Sequence, residues 1–183
     1  MILKEFYIAL RDKILSNVTD IQYVKLFNEQ FLNMEDQREE SFPFPCVFVS
    51  YDEIEWESIN KYIQTGTLTF TLKIAIEFYL DNDNHNESID LYIFDLKNEV
   101  YKAVEGMSGS GTTGVYSNAT RISEATDNNH DSYYVYEQTF TVRMDDASNC
   151  PNVIVIPAGQ VKMHLNTDFR INNFVIRTGL LNG

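Results

Sequence analysis

Between Thr67 and Tyr79 the chain reads TLTFTLKIAIEFY, with an apolar side chain at every second position. Leu68, Phe70, Leu72, Ile74, Ile76 and Phe78 form one set, and Thr67, Thr69, Thr71, Lys73, Ala75 and Glu77 form the other. Successive side chains of a strand point to opposite faces, so this alternation specifies a β-strand with one buried face. Its length exceeds the usual five or six residues. The second face is polar enough to meet water or a partner. Whatever else the chain builds must cover one side of this strand.

The flanking segments supply that cover. Residues 2–16 place Leu3, Phe6, Tyr7, Leu10 and Ile14 on one stripe at helical spacing, with Lys4, Glu5, Arg11 and Asp12 on the other faces. The Ser16-Asn17 pair is a natural stop. A second helix is expected over 89–105, with Ser88 as N-cap, a core stripe of Ile89, Ile93, Leu96, Val100 and Val104, and Gly106 at its end. Ile21–Phe27 and the nearly continuous apolar run Cys46–Tyr51 read as strands, the latter entered through Pro43 and Pro45 and continuing into DEIEWE. Val115–Thr126 and Ser132–Met144 read as an antiparallel hairpin around the turn DNNHD. The second strand sets Tyr134, Tyr136, Phe140, Val142 and Met144 on one face. Residues 33–41 and 81–87 are polar and read as exposed loop and turn. The expected fold is a two-layer α+β domain: a mainly antiparallel sheet of about five strands with two helices on one face.

Charge divides the chain. Of its 27 acids, 26 lie in residues 1–146 against 11 bases, a net of −15; residues 147–183 hold Asp168 against Lys162, Arg170 and Arg177, a net of +2. We therefore read 1–146 as the body and 147–183 as a β-rich C-terminal extension. The extension carries three short pieces, VIVIP, VKMHL and FRINNFVI. Their apolar residues Val153, Ile154, Val155, Ile156, Val161, Met163, Leu165, Phe169, Ile171, Phe174 and Ile176 need a surface to pair with. That surface is the parent sheet, a small subdomain of their own or a neighbouring chain.

A net charge of −13 argues against a surface that holds nucleic acid, because that affinity comes from basic groups displacing counterions. It argues equally against anionic membranes. Apolar content of 44% and a length of 183 residues suffice for a core without disulfides or metals. No apolar run approaches the ~20 residues of a membrane helix. The first ten residues do not read as a signal peptide. Cys46 and Cys150 match neither a zinc site nor an oxidised scaffold, so a reducing cytoplasm is the expected place of synthesis.

Catalytic signatures are scarce; G-x-S-x-G, H-E-x-x-H and C-x-x-C are absent. His85 and His130 sit among Asn and Asp, a composition that suits turns better than metal ligation. The segment GSGTTG (109–114) invites a phosphate-loop reading but lacks the lysine and joins helix to strand, so a mobile connector is expected. The acids are more informative. Glu35, Asp36, Glu39, Glu40, Asp52, Glu53, Glu55 and Glu57 are opposed over that stretch by Arg38 alone. Carboxylate pairs hold Mg²⁺ in phosphodiesterases, yet a nuclease also needs bases to grip its substrate. A solvated face, or a surface that repels nucleic acid, accounts for them better.

The element order resembles the tail terminator, or tail-completion, proteins of tailed bacteriophages. The resemblance covers roughly residues 1–146. It rests on LKEFYIALRDKIL, IQYVKLFNEQF, FPCVFVSYDEIEW, TGTLTFTLKIAIEFY, SIDLYIFDLKNEVYKAVEG and the hairpin ending YYVYEQTFTVRMDD. It implies a small fold that assembles into a ring, commonly of six subunits. Such a ring caps the tail tube and faces the head–tail connector or other neck proteins. It implies a virion protein with no enzymatic activity and no cofactor. The family's members are often close to the body alone in length, so the extension is a departure. A ring around a DNA path should turn acids toward its lumen, and a β-rich arm suits pairing with an adjacent subunit. Two other classes stand beside this one: a metal-dependent phosphodiesterase using the 35–57 acids, and a soluble ligand-binding module.

Overall fold

A computed structural model describes residues 1–31, 42–77, 87–127 and 133–150. Among these residues the chain forms two α-helices and a seven-stranded sheet. In chain order the elements are α1 (Ile2–Asn17), β1 (Tyr23–Leu26), β2 (Cys46–Tyr51), β3 (Trp56–Ser58), β4 (Gln64–Glu77), α2 (Glu87–Val104), β5 (Gly109–Ser110), β6 (Gly114–Asp127) and β7 (Tyr133–Asp146).

The alternating strand is the spine. β4 lies between β2 and β7 in the order β1-β2-β4-β7-β6-β5, and β3 pairs with β4 beyond the end of β2. Fourteen register pairs join β4 to β7, from Gln64 opposite Asp146 to Glu77 opposite Tyr133. All pairings are antiparallel except β1 with β2. β6 departs from regular register between Ser117 and Thr120 and again between Arg121 and Ser123. Each irregularity adds local twist, and the sheet is curled.

One face of this sheet takes both helices. Leu68, Phe70, Leu72, Ile74 and Ile76 of β4 meet Ile2, Phe6, Leu10 and Ile14 of α1 and Ile93, Leu96, Val100 and Val104 of α2 in one buried cluster. Burying each such side chain contributes about 1.5–3 kcal/mol, which makes this face the main source of stability. Phe70 stacks on Phe140 at 5.4 Å and meets Phe6 edge-on at 5.3 Å. The polar member of the β7 row is Gln138, fully buried, whose Nε2 donates to the Lys97 carbonyl at 3.0 Å.

Several expectations need correction. The sheet has seven strands, not five, because β3 and β5 are three and two residues long and leave no periodicity to read. Two layers do not describe it fully either. The opposite face of the sheet carries a second buried cluster, in which Cys46, Phe48, Ala75 and Val135 lie under Phe31 and Phe42, with Tyr23, Phe27 and Phe44 at its margin. The run CVFVSY is apolar throughout for this reason: Val47 and Val49 serve the helical side, Cys46 and Phe48 the aromatic side. DEIEWE is not a continuation of β2; the strand breaks at 52–55 and resumes as β3. Ser88 lies within α2, not before it. Gly106 does follow the helix, at φ +71°, a conformation that spares glycine the clash of a Cβ.

The aromatic cluster covers only part of the second face. Beyond the aromatics it is built of hydroxyls. Ser50, Thr71 and Thr139 stand side by side on three strands, and Thr69 faces Thr141 in the next row. Thr71 Oγ1 and Thr139 Oγ1 lie 3.1 Å apart. Lys73 and Glu137 pair at the boundary, with Lys73 Nζ also 4.9 Å from the Phe27 ring centroid.

Candidate functional site

The acids expected to form a common face divide into two groups. Glu35, Asp36, Glu39 and Glu40 lie outside the described residues. Asp52, Glu53, Glu55 and Glu57 are all exposed, on the break after β2 and on β3. Strand register brings two more acids beside them. Glu57 pairs with Thr65, which pairs with Asp145, and Ser58 pairs with Gln64, which pairs with Asp146. Neighbouring strands lie about 4.8 Å apart, so Glu57 and Asp145 flank Thr65 on one face with roughly 10 Å between their backbones. Within the segments 52–66 and 143–146 that make this end of the sheet, six acids meet two bases, Lys61 and Arg143. Arg143 Nε donates to Thr65 Oγ1 at 3.2 Å. Asp145 and Asp146 were legible only as the end of a hairpin; it is the long β4–β7 pairing that carries them to β3.

This arrangement spreads negative charge along a rim and does not converge it. Among the described residues no three His, Cys, Asp or Glu side chains gather closely enough to hold a metal ion. Asp146 is committed to its own chain, accepting the Ser148 N–H at 2.8 Å and the Ser148 hydroxyl. Asp145 and Asp146 are half-buried, so the exposed carboxylates are those of Asp52, Glu53, Glu55 and Glu57. What these do is repel another polyanion over about one Debye length, ~8 Å at physiological salt.

The glycine-rich loop is held, not a free connector. Gly109 and Ser110 form β5 against β6, and the Gly111 N–H donates to the Gly114 carbonyl at 2.9 Å. Glu5 of α1 reaches into the loop. Its Oε1 accepts the Thr112 N–H at 3.2 Å and the Thr112 hydroxyl; its Oε2 accepts the Thr113 N–H at 3.3 Å and the Thr113 hydroxyl at 3.0 Å. A Cβ at Gly111 would collide with Glu5 Oε2, so the glycine makes room for the carboxylate. Burial works to raise the Glu5 pKa, but the hydrogen bonds from Thr112 and Thr113 outweigh it and hold the carboxyl below its ordinary value. The loop's capacity to cradle an anion is real, and the chain's own Glu5 fills it.

Tyr51 and Tyr134 are half-buried and pack against the helical core. Each histidine, and each residue of the proposed arm from Val153 to Ile176, lies outside the described residues. No helix among the described residues is long and apolar enough to cross a membrane. No protein-family model matches the chain, and no curated protein matches it.

Proposed function

We propose that this chain is a structural protein of a tailed-phage virion, a subunit of a ring at the tail or head–tail junction that lets DNA pass without holding it. The observation that carries this reading is the acidic rim: Asp52, Glu53, Glu55 and Glu57 exposed at one end of the sheet, extended across β4 by Asp145 and Asp146. A ring that turned this end toward its lumen would present carboxylates to the phosphate backbone and so avoid binding it. The α+β body with its curled sheet suits a ring subunit of the tail terminator kind, with six subunits the proposed number. Its partners would be the tail tube protein and the head–tail connector or other neck proteins. Residues 147–183, net positive where the body is negative, are proposed as the arm that reaches an adjacent subunit. Neither catalysis nor a cofactor has a place in this role.

The test is the size and shape of the purified chain, by light scattering and negative-stain microscopy, alone and with a tube protein. Closed rings support the reading. A sample that stays monomeric at every concentration, even with the tube partner added, overturns it.

A further inference from the structure

We infer that the open part of the β6 edge, at residues 124–126, takes a strand from a second copy of this chain, and that the strand is residues 153–156 of that copy's C-terminal extension. The inference rests on the ring reading, in which the extension reaches an adjacent subunit, and adds the surface that receives it.

The sheet closes most of its own edges. On β1 the Phe27 N–H donates to the Val49 carbonyl of β2 at 2.8 Å, so by alternation Val24 and Leu26 turn their peptide groups outward. Their carbonyls are taken, Val24 by the Tyr7 hydroxyl at 3.4 Å and Leu26 by Gln30 Nε2 at 2.8 Å. On β6, β5 covers Val115 and Tyr116. The Ala119 N–H donates to the Met107 carbonyl and its own carbonyl accepts the Gly106 N–H, both at 2.8 Å. The Arg121 N–H donates to Glu105 Oε2 at 3.0 Å.

Beyond its second irregularity β6 is open. Ala119 and Arg121 turn their N–H groups outward, and Arg121 stands opposite Phe140 of β7. Peptide groups point to alternate sides along a strand and keep step across the ladder. From Phe140 the alternation passes to Gln138 and Tyr136, whose β6 partners are Glu124 and Thr126. Glu124 and Thr126 therefore present N–H and C=O to the outside. Among the described residues no hydrogen bond takes these groups. Consecutive pairs from Ser123 to Asp127 keep the stretch regular. Ser123, Ala125 and Thr126 are small and exposed, and the Glu124 side chain is drawn aside by Lys97 at 3.5 Å and Arg121 at 2.9 Å. The lysine or proline that commonly guards an edge is missing from residues 122–126.

Charge and reach choose the occupant. A second β6 would set one body of net −15 against another, whereas the extension is net +2. Within the extension, residues 153–156 are four β-branched residues in succession, ended by Pro157, the composition of a short strand. They fall short of the edge of their own chain. Ala147 is held at Thr113, beside the start of β6, and from Ala147 back to Gln138, the partner of Glu124, β7 runs nine residues, about 30 Å. Cys150 stays within one turn of Ala147, its N–H on the Ala147 carbonyl at 2.9 Å. Val153 follows Cys150 by three residues and Ile156 by six, about 11 and 22 Å at full extension. Such a strand reaches the open edge only in another copy, and an arm laid on a different surface of its neighbour is the kind of contact that closes rings.

Two variants of the full chain test this by sedimentation velocity. Thr126→Pro removes one outward N–H, costs no bond to β7 and suits an edge strand. Ile154→Pro with Val155→Pro breaks the incoming strand whichever of its residues face β6. Each should weaken association about tenfold or more with circular dichroism near wild type, while Thr126→Val, which keeps the N–H, should assemble as wild type does. An equimolar mixture of the two proline variants should stop at one-to-one dimers, because one open edge and one intact arm remain between them. The wild type supplies a measure free of any variant: the Glu124 and Thr126 amides should exchange with deuterium about tenfold or more slowly in the assembled chain than in the diluted monomer. Equal exchange in the two states overturns the inference. Rings that form with both proline variants overturn it and leave the ring reading standing. Assembly lost in Thr126→Pro but kept in the arm variant also overturns it, because another copy's β6 or another segment then fills the edge. Filaments or simple dimers that both variants dissolve support the arm on β6 and overturn the ring. A wild-type chain that never associates overturns both.

Discussion

Glu5 on the first helix and Thr113 in the loop before β6 are joined twice, through the Thr113 N–H at 3.3 Å and its hydroxyl at 3.0 Å, both donated to Oε2. The same Thr113 accepts the Ala147 N–H at 2.7 Å on its carbonyl. One carboxylate thus ties α1 to the loop and, through it, to the point where the chain leaves β7. Hydrogen bonds to a charged group contribute about 1.5–3 kcal/mol when well made, and a half-buried site earns the lower part of that range. Glu5→Gln should therefore lower stability by about 1–2 kcal/mol at pH 7 in urea unfolding. The carboxyl titrates below its ordinary value in the folded chain, so its contribution is present above pH 4.5 and is lost as pH falls through the lower folded value. The gap between wild type and Glu5→Gln should narrow as pH falls below 4.5. A gap that stays constant across that range would deny the carboxylate this role.

The two cysteines should differ sharply in reactivity. Cys46 is fully buried under the aromatic cluster, and burial pushes its thiol up to about 12. Cys150 lies half-buried in the turn after β7. Thiolates are the reactive form, so a disulfide reagent at pH 8 should titrate one thiol in the folded chain and two in denaturant. Two fast thiols in the native protein would mean that the aromatic cluster opens readily.

Much of this fold is written in residue periodicity. β4, the hairpin partner β7, both helices and the stop at Gly106 follow from it, because each buries one regular face against a single core. What periodicity misses has a physical cause in each case. β3 and β5 are too short to display a pattern. Phe27, Phe31, Phe42 and Phe44 have no common spacing, yet they converge because the chain folds back over the second face of β2. Four of the six acids of the site were visible as composition at 52–57. The other two, Asp145 and Asp146, depended on a register that spans some eighty residues.

Whether the second face is a true core can be measured at Phe48. The residue is fully buried, with Phe42 at 5.0 Å and Phe31 at 5.2 Å, both nearly perpendicular to it. Large-to-small changes at such sites cost about 3–5 kcal/mol for phenylalanine. Phe48→Ala should cost as much as Phe70→Ala on the helical side, measured by chemical unfolding. A cost below 1 kcal/mol would reduce the aromatic cluster to a surface cover.

A chain ended after residue 150 separates the body from the extension. The end of β7 is secured within the described residues. Ala147 N–H donates to Thr113, Ser148 caps onto Asp146, and the Cys150 N–H donates to the Ala147 carbonyl at 2.9 Å. β7 itself is flanked along its length by β4 and β6, so neither of its edges waits for a strand from the extension. The truncated chain should keep its near-ultraviolet circular dichroism and a cooperative unfolding transition, since the described members of both buried clusters lie between Ile2 and Met144. Its assembly should weaken, because the proposed arm is gone. The two readouts move separately. Loss of the cooperative transition would make the extension part of the core, and assembly as strong as wild type would remove it from the contacts between subunits.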